Sequence, residues 1–297
     1  MKLSKHETTA LPVLALLFSA TIWGVMWYPL RLFEAQGLGG LWVTFIFFTA
    51  TTVVGMALMS RHLGELRNQP WIALGIALAS GWCNTTFNLA MLEGNVMRML
   101  LLFYLSPLWA TLIGWGFMGE RLTPLSILLL LVSGSGALFM LWQPGMMAPW
   151  PSDRADWLAI SSGMAFAVLN ALVRQGQQIN IPAKMLASWF GVLVVAGGWI
   201  AVAGEPWPKV ELEVIGAAVV FGAMVLVIAT LSVQYGVTHM PVHRSAVILL
   251  FELVAGALSA WLLTDEVITV KEWLGGSLIV AAALISARAH IRLERYQ

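Results

Sequence analysis

Glu252, a carboxylate inside an apolar run, is the residue whose chemistry first asks for an explanation. It lies nine residues after His243 and thirteen before Asp265, within the stretch 242–263. At about 1.5 Å of rise per residue, a helix there puts it near the middle of a bilayer. A carboxylate at that depth is costly and normally faces a cavity or a partner. Two readings stand: a group that binds and releases a proton during transport, or a structural carboxyl paired to Arg98 or a tyrosine. Arg98 and Arg244 begin the fourth and ninth apolar stretches. They either attract a substrate carboxylate or snorkel to the headgroups.

Uncharged polar groups recur at the same depth. Asn84, Thr85 and Asn88 share one face of the third stretch, about a helical turn apart. Asn170 falls in the sixth stretch, and Gln234 and Tyr235 in the eighth. A single amide in a membrane helix can simply hold neighbours together, at roughly 0.6 kcal/mol; several together point to a cavity. Trp23 and Trp27, four residues apart in the first stretch, either line that cavity or pack in the core, and Tyr104 of the fourth stretch completes the set. Trp42, Trp71, Trp150, Trp157 and Trp273 sit at stretch ends, as interfacial belt residues do.

Other chemistries lack their residues. His239 and His243 have the spacing of helical metal ligands, but Pro241 stands between them and no Glu follows the first His. No metal or cofactor is called for. GxxxxGK[ST] is absent, which argues against direct ATP drive. An intramembrane enzyme is the non-transport alternative. Its aspartyl type needs two membrane aspartates, whereas Asp153, Asp156 and Asp265 all fall near stretch ends; its serine type needs a GxSxG-like turn, which is also absent. The reading is therefore not an enzyme.

The elements that must position these groups follow from composition. The chain of 297 residues is 59% hydrophobic and 10% charged, against about 25% charged in soluble domains. Charges fall at intervals that leave ten stretches of roughly 20 apolar residues, the length that crosses a bilayer. These are 10–31, 39–60, 70–92, 96–118, 124–142, 157–176, 183–203, 213–236, 242–263 and 271–289. The first is read as a retained helix rather than a signal peptide, because it runs on to Leu30. With the N-terminus inside, eleven Lys and Arg fall on the cytoplasmic side (Lys2, Lys5, Arg61, Arg67, Arg121, Arg174, Lys184, Arg244, Arg288, Arg292 and Arg295). Five fall opposite (Arg31, Arg98, Arg154, Lys209 and Lys271), so both termini are expected in the cytoplasm. The net charge of +1 suggests no nucleic-acid partner, and the single cysteine, Cys83, rules out an internal disulfide.

The second half echoes the first. Shifted by 146 positions, Val96, Arg98, Leu112, Trp115, Glu120 and Thr123 land on Val242, Arg244, Leu258, Trp261, Glu266 and Thr269. Shifted by 143, Trp23-Gly24-Val25 meets Phe166-Ala167-Val168. Five spans per repeat force opposite orientations, the inverted repeat common in secondary transporters. The expected fold is an all-α membrane protein of ten transmembrane helices in two inverted five-helix repeats, 1–145 and 146–297.

Tyr104-Leu105-Ser106-Pro107 in the fourth stretch, and Gly119-Glu120-Arg121-Leu122-Thr123 after it, resemble the EamA domain of the drug/metabolite transporter superfamily. The resemblance covers nearly the whole chain as two tandem EamA units. The second unit departs from the pattern: Asp265 replaces the glycine, Val267 the arginine, and Glu252-Leu253 stand where Ser106-Pro107 stand. Without that proline the ninth helix lacks the cause of a kink that the fourth has. The resemblance implies a secondary transporter of the inner membrane, similar to bacterial exporters such as the YddG-like amino-acid exporters. It would export amino acids or related small metabolites by alternating access, along a path between the halves near the midplane. Import or exchange of another small polar metabolite is the alternative. The partners implied are a small-molecule substrate and the lipid bilayer.

Overall fold

The computed structural model describes residues 7–117, 124–142, 151–239, 248–249, 251–265 and 268–294, and among these every regular element is helical. The first span is broken into α1 (Glu7–Val25) and α2 (Trp27–Ala35). Pro29 has no N–H to give the Val25 carbonyl, so the helical ladder fails and the chain turns at Met26. There the Met26 N–H reaches back to the Trp23 oxygen at 3.2 Å. The same physics breaks the fourth span. Pro107 cannot donate to Phe103, and α5 (Val96–Phe103) is separated from α6 (Ser106–Phe117) at Tyr104-Leu105. Between these lie α3 (Gly40–Met59), the 3₁₀ turn Ser60–Asn68 and α4 (Pro70–Glu93). After them come α7 (Pro124–Leu141), α8 (Arg154–Gln175) and α9 (Ile181–Ala203). α10 (Leu212–Phe221) joins α11 (Val227–Thr238) through a π turn, Gly222–Leu226. α12 (Phe251–Leu263) and α13 (Val270–Glu294) end the described chain.

Six described segments are long and apolar enough to cross a membrane: Leu11–Ala35, Gly40–Asn68, Val96–Gly116, Arg154–Gln175, Ile181–Ala203 and Leu212–Gly236. Of the ten spans expected from sequence, four are not among these: α4, whose apolar run Asn84, Thr85, Thr86 and Asn88 dilute, α12, described over only 13 residues, and α7 and α13. The outer surface explains why such helices need lipid. Leu14, Leu58, Leu131, Val202 and Leu262 are all exposed. A surface apolar at so many points has no favourable contact with water, whereas helices satisfy every backbone group internally and can lie in hydrocarbon.

The major packing contacts run between the two halves of the chain. α4 packs on α8 and α9, α3 on α9 and α10, α1 on α11 and α12, α5 on α8 and α12, and α7 on α13. Counted as ten segments among the described residues, with broken spans counted once, segment three packs on six and seven, and eight on one and two. Four packs on six and nine on one, while two meets seven, four meets nine and five meets ten. Exchanging the first five segments for the last five leaves this set of pairs unchanged.

Close backbone approaches obey the same exchange. A β-carbon added at Gly81 of α4 would run into the Gly191 carbonyl oxygen of α9, and one at Gly222 into that of Phe47 in α3. Additions at Gly163 and Gly24 would each lie 2.5 Å from a carbonyl oxygen, those of Phe103 and Glu252. The first two contacts exchange with each other, as do the last two. Small residues of this kind let membrane helices approach at the backbone.

Polar side chains pin the two ends. At one end Arg31 donates to the Gly94 oxygen at 2.7 Å, Trp42 to the Pro206 oxygen at 2.9 Å, and Arg154 pairs with Glu93 at 3.2 Å. At the other, Asn68 donates to the Gln178 oxygen at 3.0 Å, and the Asn180 N–H to Glu65 at 2.9 Å.

Candidate functional site

The break in the fourth span creates the site. Released from the helical ladder, Tyr104 caps the end of α5 and points its phenol across to the second half. Its Oη donates to Oε2 of Glu252 at 2.9 Å, and also lies 3.4 Å from the Leu249 oxygen. Glu252 sits on α12, eleven residues before the helix end at Leu263, or about 17 Å along the axis. Glycines hold α12 tightly here: Gly24 lets the α1 backbone touch the Glu252 carbonyl, and Leu100 seats over Gly256. One turn further on, the buried Trp27 indole donates to Ser259 Oγ at 2.9 Å, fixing α2 to α12. Tyr104 and Glu252 are both half-buried and keep some accessible surface. Among the described residues no Lys or Arg pairs with Glu252.

Arg98 is committed elsewhere. Its Nε and Nη2 each donate at 2.7 Å to the two oxygens of Asp156, a fork that matches carboxylate geometry. Asp156 is fully buried and takes two more bonds, from the Ser152 N–H at 2.9 Å and the Ser152 hydroxyl at 3.1 Å. Local chemistry builds both termini. Asn95 caps α5 by accepting from the Arg98 N–H, and Asp153 caps α8 by accepting from that of Asp156. None of the readings of Arg98 offered by the sequence, substrate attraction, snorkelling or a pair with Glu252, included Asp156. Arg244 lies outside the described residues.

The remaining candidates are placed as follows. Asn88 is buried and donates to Thr44 Oγ1 at 3.0 Å, joining α4 to α3. Asn84, half-buried, spends its amide on the Ser80 oxygen one turn back at 3.0 Å, while the buried Thr85 hydroxyl has no partner. Asn170 is exposed on α8 and donates to the Phe166 oxygen at 2.9 Å. Gln234 is half-buried on α11, and Tyr235 is exposed with its ring 4.2 Å from that of His239. Trp23 packs half-buried against the core that holds Trp27. The structure therefore brings Tyr104, Glu252 and Trp27 together through α12, keeps Asn84 and Asn88 on α4, and sets Asn170 and Tyr235 outward.

Sequence reasoning did not single out Ser152, Ser259 or Thr44, and it read Asp156 only as a residue near a stretch end. One signal was available: Asp153 three residues before Asp156 has capping spacing. The polar cluster at the opposite end was missed too. There the Asn180 amide donates to both Glu65 and His62, and Asn180 also caps α9. Among the described residues no group of three His, Cys, Asp or Glu could hold a metal.

An all-helical chain with a lipid-facing exterior, whose halves meet around a carboxyl–phenol pair, is an integral membrane protein. It belongs to the EamA-like transporter family, whose profile matches it twice, over residues 10–142 and 153–288. It is 24% identical over 187 residues to a Pseudomonas aeruginosa protein named "Uncharacterized transporter PA0485". That match spans 60% of this chain and 59% of the relative's length. A solved structure titled "Crystal structure of protein" aligns over 98% of this chain and 100% of its own, with a TM-score of 0.57. At 21% identity it shows the fold alone. Membrane transport is thus the function of the class, with a small-molecule substrate and lipid surroundings.

Proposed function

We propose that this chain is a secondary transporter of the bacterial inner membrane that exports amino acids or related small metabolites by alternating access. Ten spans in two inverted units, 1–145 and 146–297, with both termini in the cytoplasm, belong to the same reading. The observation that carries it is the exchange relation among helix pairs: segment three meets six and seven as eight meets one and two. Two units that pack on each other in this reciprocal way have two equivalent ways to tilt, and a path between them opens to one side at a time. A glycine–carbonyl contact such as Gly222–Phe47 meets backbone atoms alone at the point of contact and permits small sliding movements.

Tyr104 and Glu252 come from opposite halves and meet by a hydrogen bond, which supports a substrate path passing between the halves there. The Lys and Arg count assigns the Arg31–Gly94 end to the outside and the Asn68–Gln178 end to the cytoplasm. The likeness to amino-acid exporters supports the substrate class and the direction. The purified full chain in proteoliposomes tests the proposal, with a panel of amino acids and with and without a pH gradient. Saturable flux of at least one amino acid is expected. Absence of flux for every compound removes the reading, and conversion of a compound into a new product replaces it with an enzyme.

A further inference from the structure

Among the described residues Glu252 is a carboxylate without a cation. Arg98, the guanidinium the sequence offered as its partner, is held by both oxygens of Asp156. Arg31 is spent on the carbonyls of Met91 and Gly94 and on the face of Trp27, 5.2 Å away. Among the described residues Glu252 accepts one hydrogen bond, from the neutral phenol of Tyr104. An ionised carboxylate can take several donors, and burying one without a counter-charge is expensive. Among the described residues the site is thus short of positive charge and of N–H donors, while Tyr104 and Glu252 both keep accessible surface. On the far side of Tyr104 the core packing is aromatic. Its ring meets Phe103 edge-on at 5.6 Å, and Phe103 contacts Phe87 at 4.9 Å and Phe166 at 5.3 Å. Such faces suit the apolar body of a small molecule and attract a cation lying over them.

From this geometry we infer that Glu252, oriented by Tyr104, receives the protonated amine of the transported molecule, so that a primary ammonium is the substrate's required feature and its carboxylate is dispensable. This deepens, and rests on, the transport reading above. An amine supplies three N–H donors and the missing charge in one group. No described cation is placed at the site to receive a substrate carboxylate, because Arg98 and Arg31 already hold partners at the end of the bundle.

The test uses the full chain in proteoliposomes and three matched probes: a neutral aromatic amino acid, the amine left when its carboxyl is removed, and its N-acetyl derivative, which keeps the carboxylate but has no ammonium. The amino acid and the amine should both be carried, and the N-acetyl compound roughly tenfold more slowly or not at all. Glu252→Gln, checked for folding by circular dichroism and monodispersity, should lose both carried probes by a similar factor, and Tyr104→Phe should lose less. Wild-type flux of the N-acetyl compound equal to that of its parent overturns the inference, as does undiminished amine flux in folded Glu252→Gln. Either result leaves the transport reading intact. If no probe moves at all, the transport reading falls, and titration of intrinsic tryptophan fluorescence with the amine decides the site. Saturable quenching in wild type that is lost in Glu252→Gln supports it, and its absence in wild type overturns it.

Discussion

Glu252 has Ser106 as its counterpart in the first repeat, so the two halves are chemically unequal at one depth. If proton binding at this carboxylate drives export, Glu252→Gln should abolish flux driven by a pH gradient yet still permit exchange of substrate down its own gradient. Loss of that exchange as well is what amine binding at Glu252 requires, and normal pH-driven transport by the variant would make Glu252 structural only. The Arg98–Asp156 pair makes a different prediction, about stability. Asp156→Ala leaves a largely buried guanidinium without its carboxylate, a loss of about 3–5 kcal/mol for such pairs. Thermal unfolding in detergent should show that loss. The double variant Arg98→Ala/Asp156→Ala should cost clearly less than the sum of the two singles, because the pair acts as one unit. Additive losses would mean that each side chain acts independently.

At the scale of elements, backbone contacts set the helix spacing. Gly222→Val drives a branched side chain into the Phe47 carbonyl and should lower folded yield and melting temperature sharply. Gly198→Ala meets nothing within 4 Å and should be neutral or slightly stabilising, since alanine favours a helix by about 1 kcal/mol over glycine. Equal tolerance at the two positions would count against close packing at Gly222. The turn between α3 and α4 is a second such element. Glu65 accepts from the Asn180 N–H and from its side chain, so the cap of α9 depends on a residue of the other half. Glu65→Ala should speed hydrogen exchange at the Asn180 amide by roughly tenfold. An unchanged rate would show that Asn180 is held without it.

For the whole molecule, the proposed orientation puts Arg61 in the cytoplasm and Arg154 outside. Cys83 is buried, so single cysteines placed at these two positions report cleanly. In intact cells an impermeant thiol reagent should label the cysteine at Arg154 and spare the one at Arg61. The opposite pattern would invert the protein in the membrane.

The sequence by itself determined which stretches become helices and that they seek lipid. A run of some twenty apolar residues has few other ways to satisfy its backbone once out of water. It also placed the break in the fourth span, because the missing N–H of Pro107 is a covalent fact. It located Glu252 and Tyr104 as residues at depth. Only the tertiary structure decided their partners: that Tyr104 rather than Arg98 meets Glu252, and that Arg98 belongs to Asp156, 58 positions away. Asn88 likewise found Thr44, 44 positions away, and Trp27 found Ser259, 232 away. Apolar helices carry little pattern to say which face meets which neighbour. In lipid that choice falls to backbone approach at glycines and to a few polar pairs, which depend on the three-dimensional arrangement of helices distant in sequence.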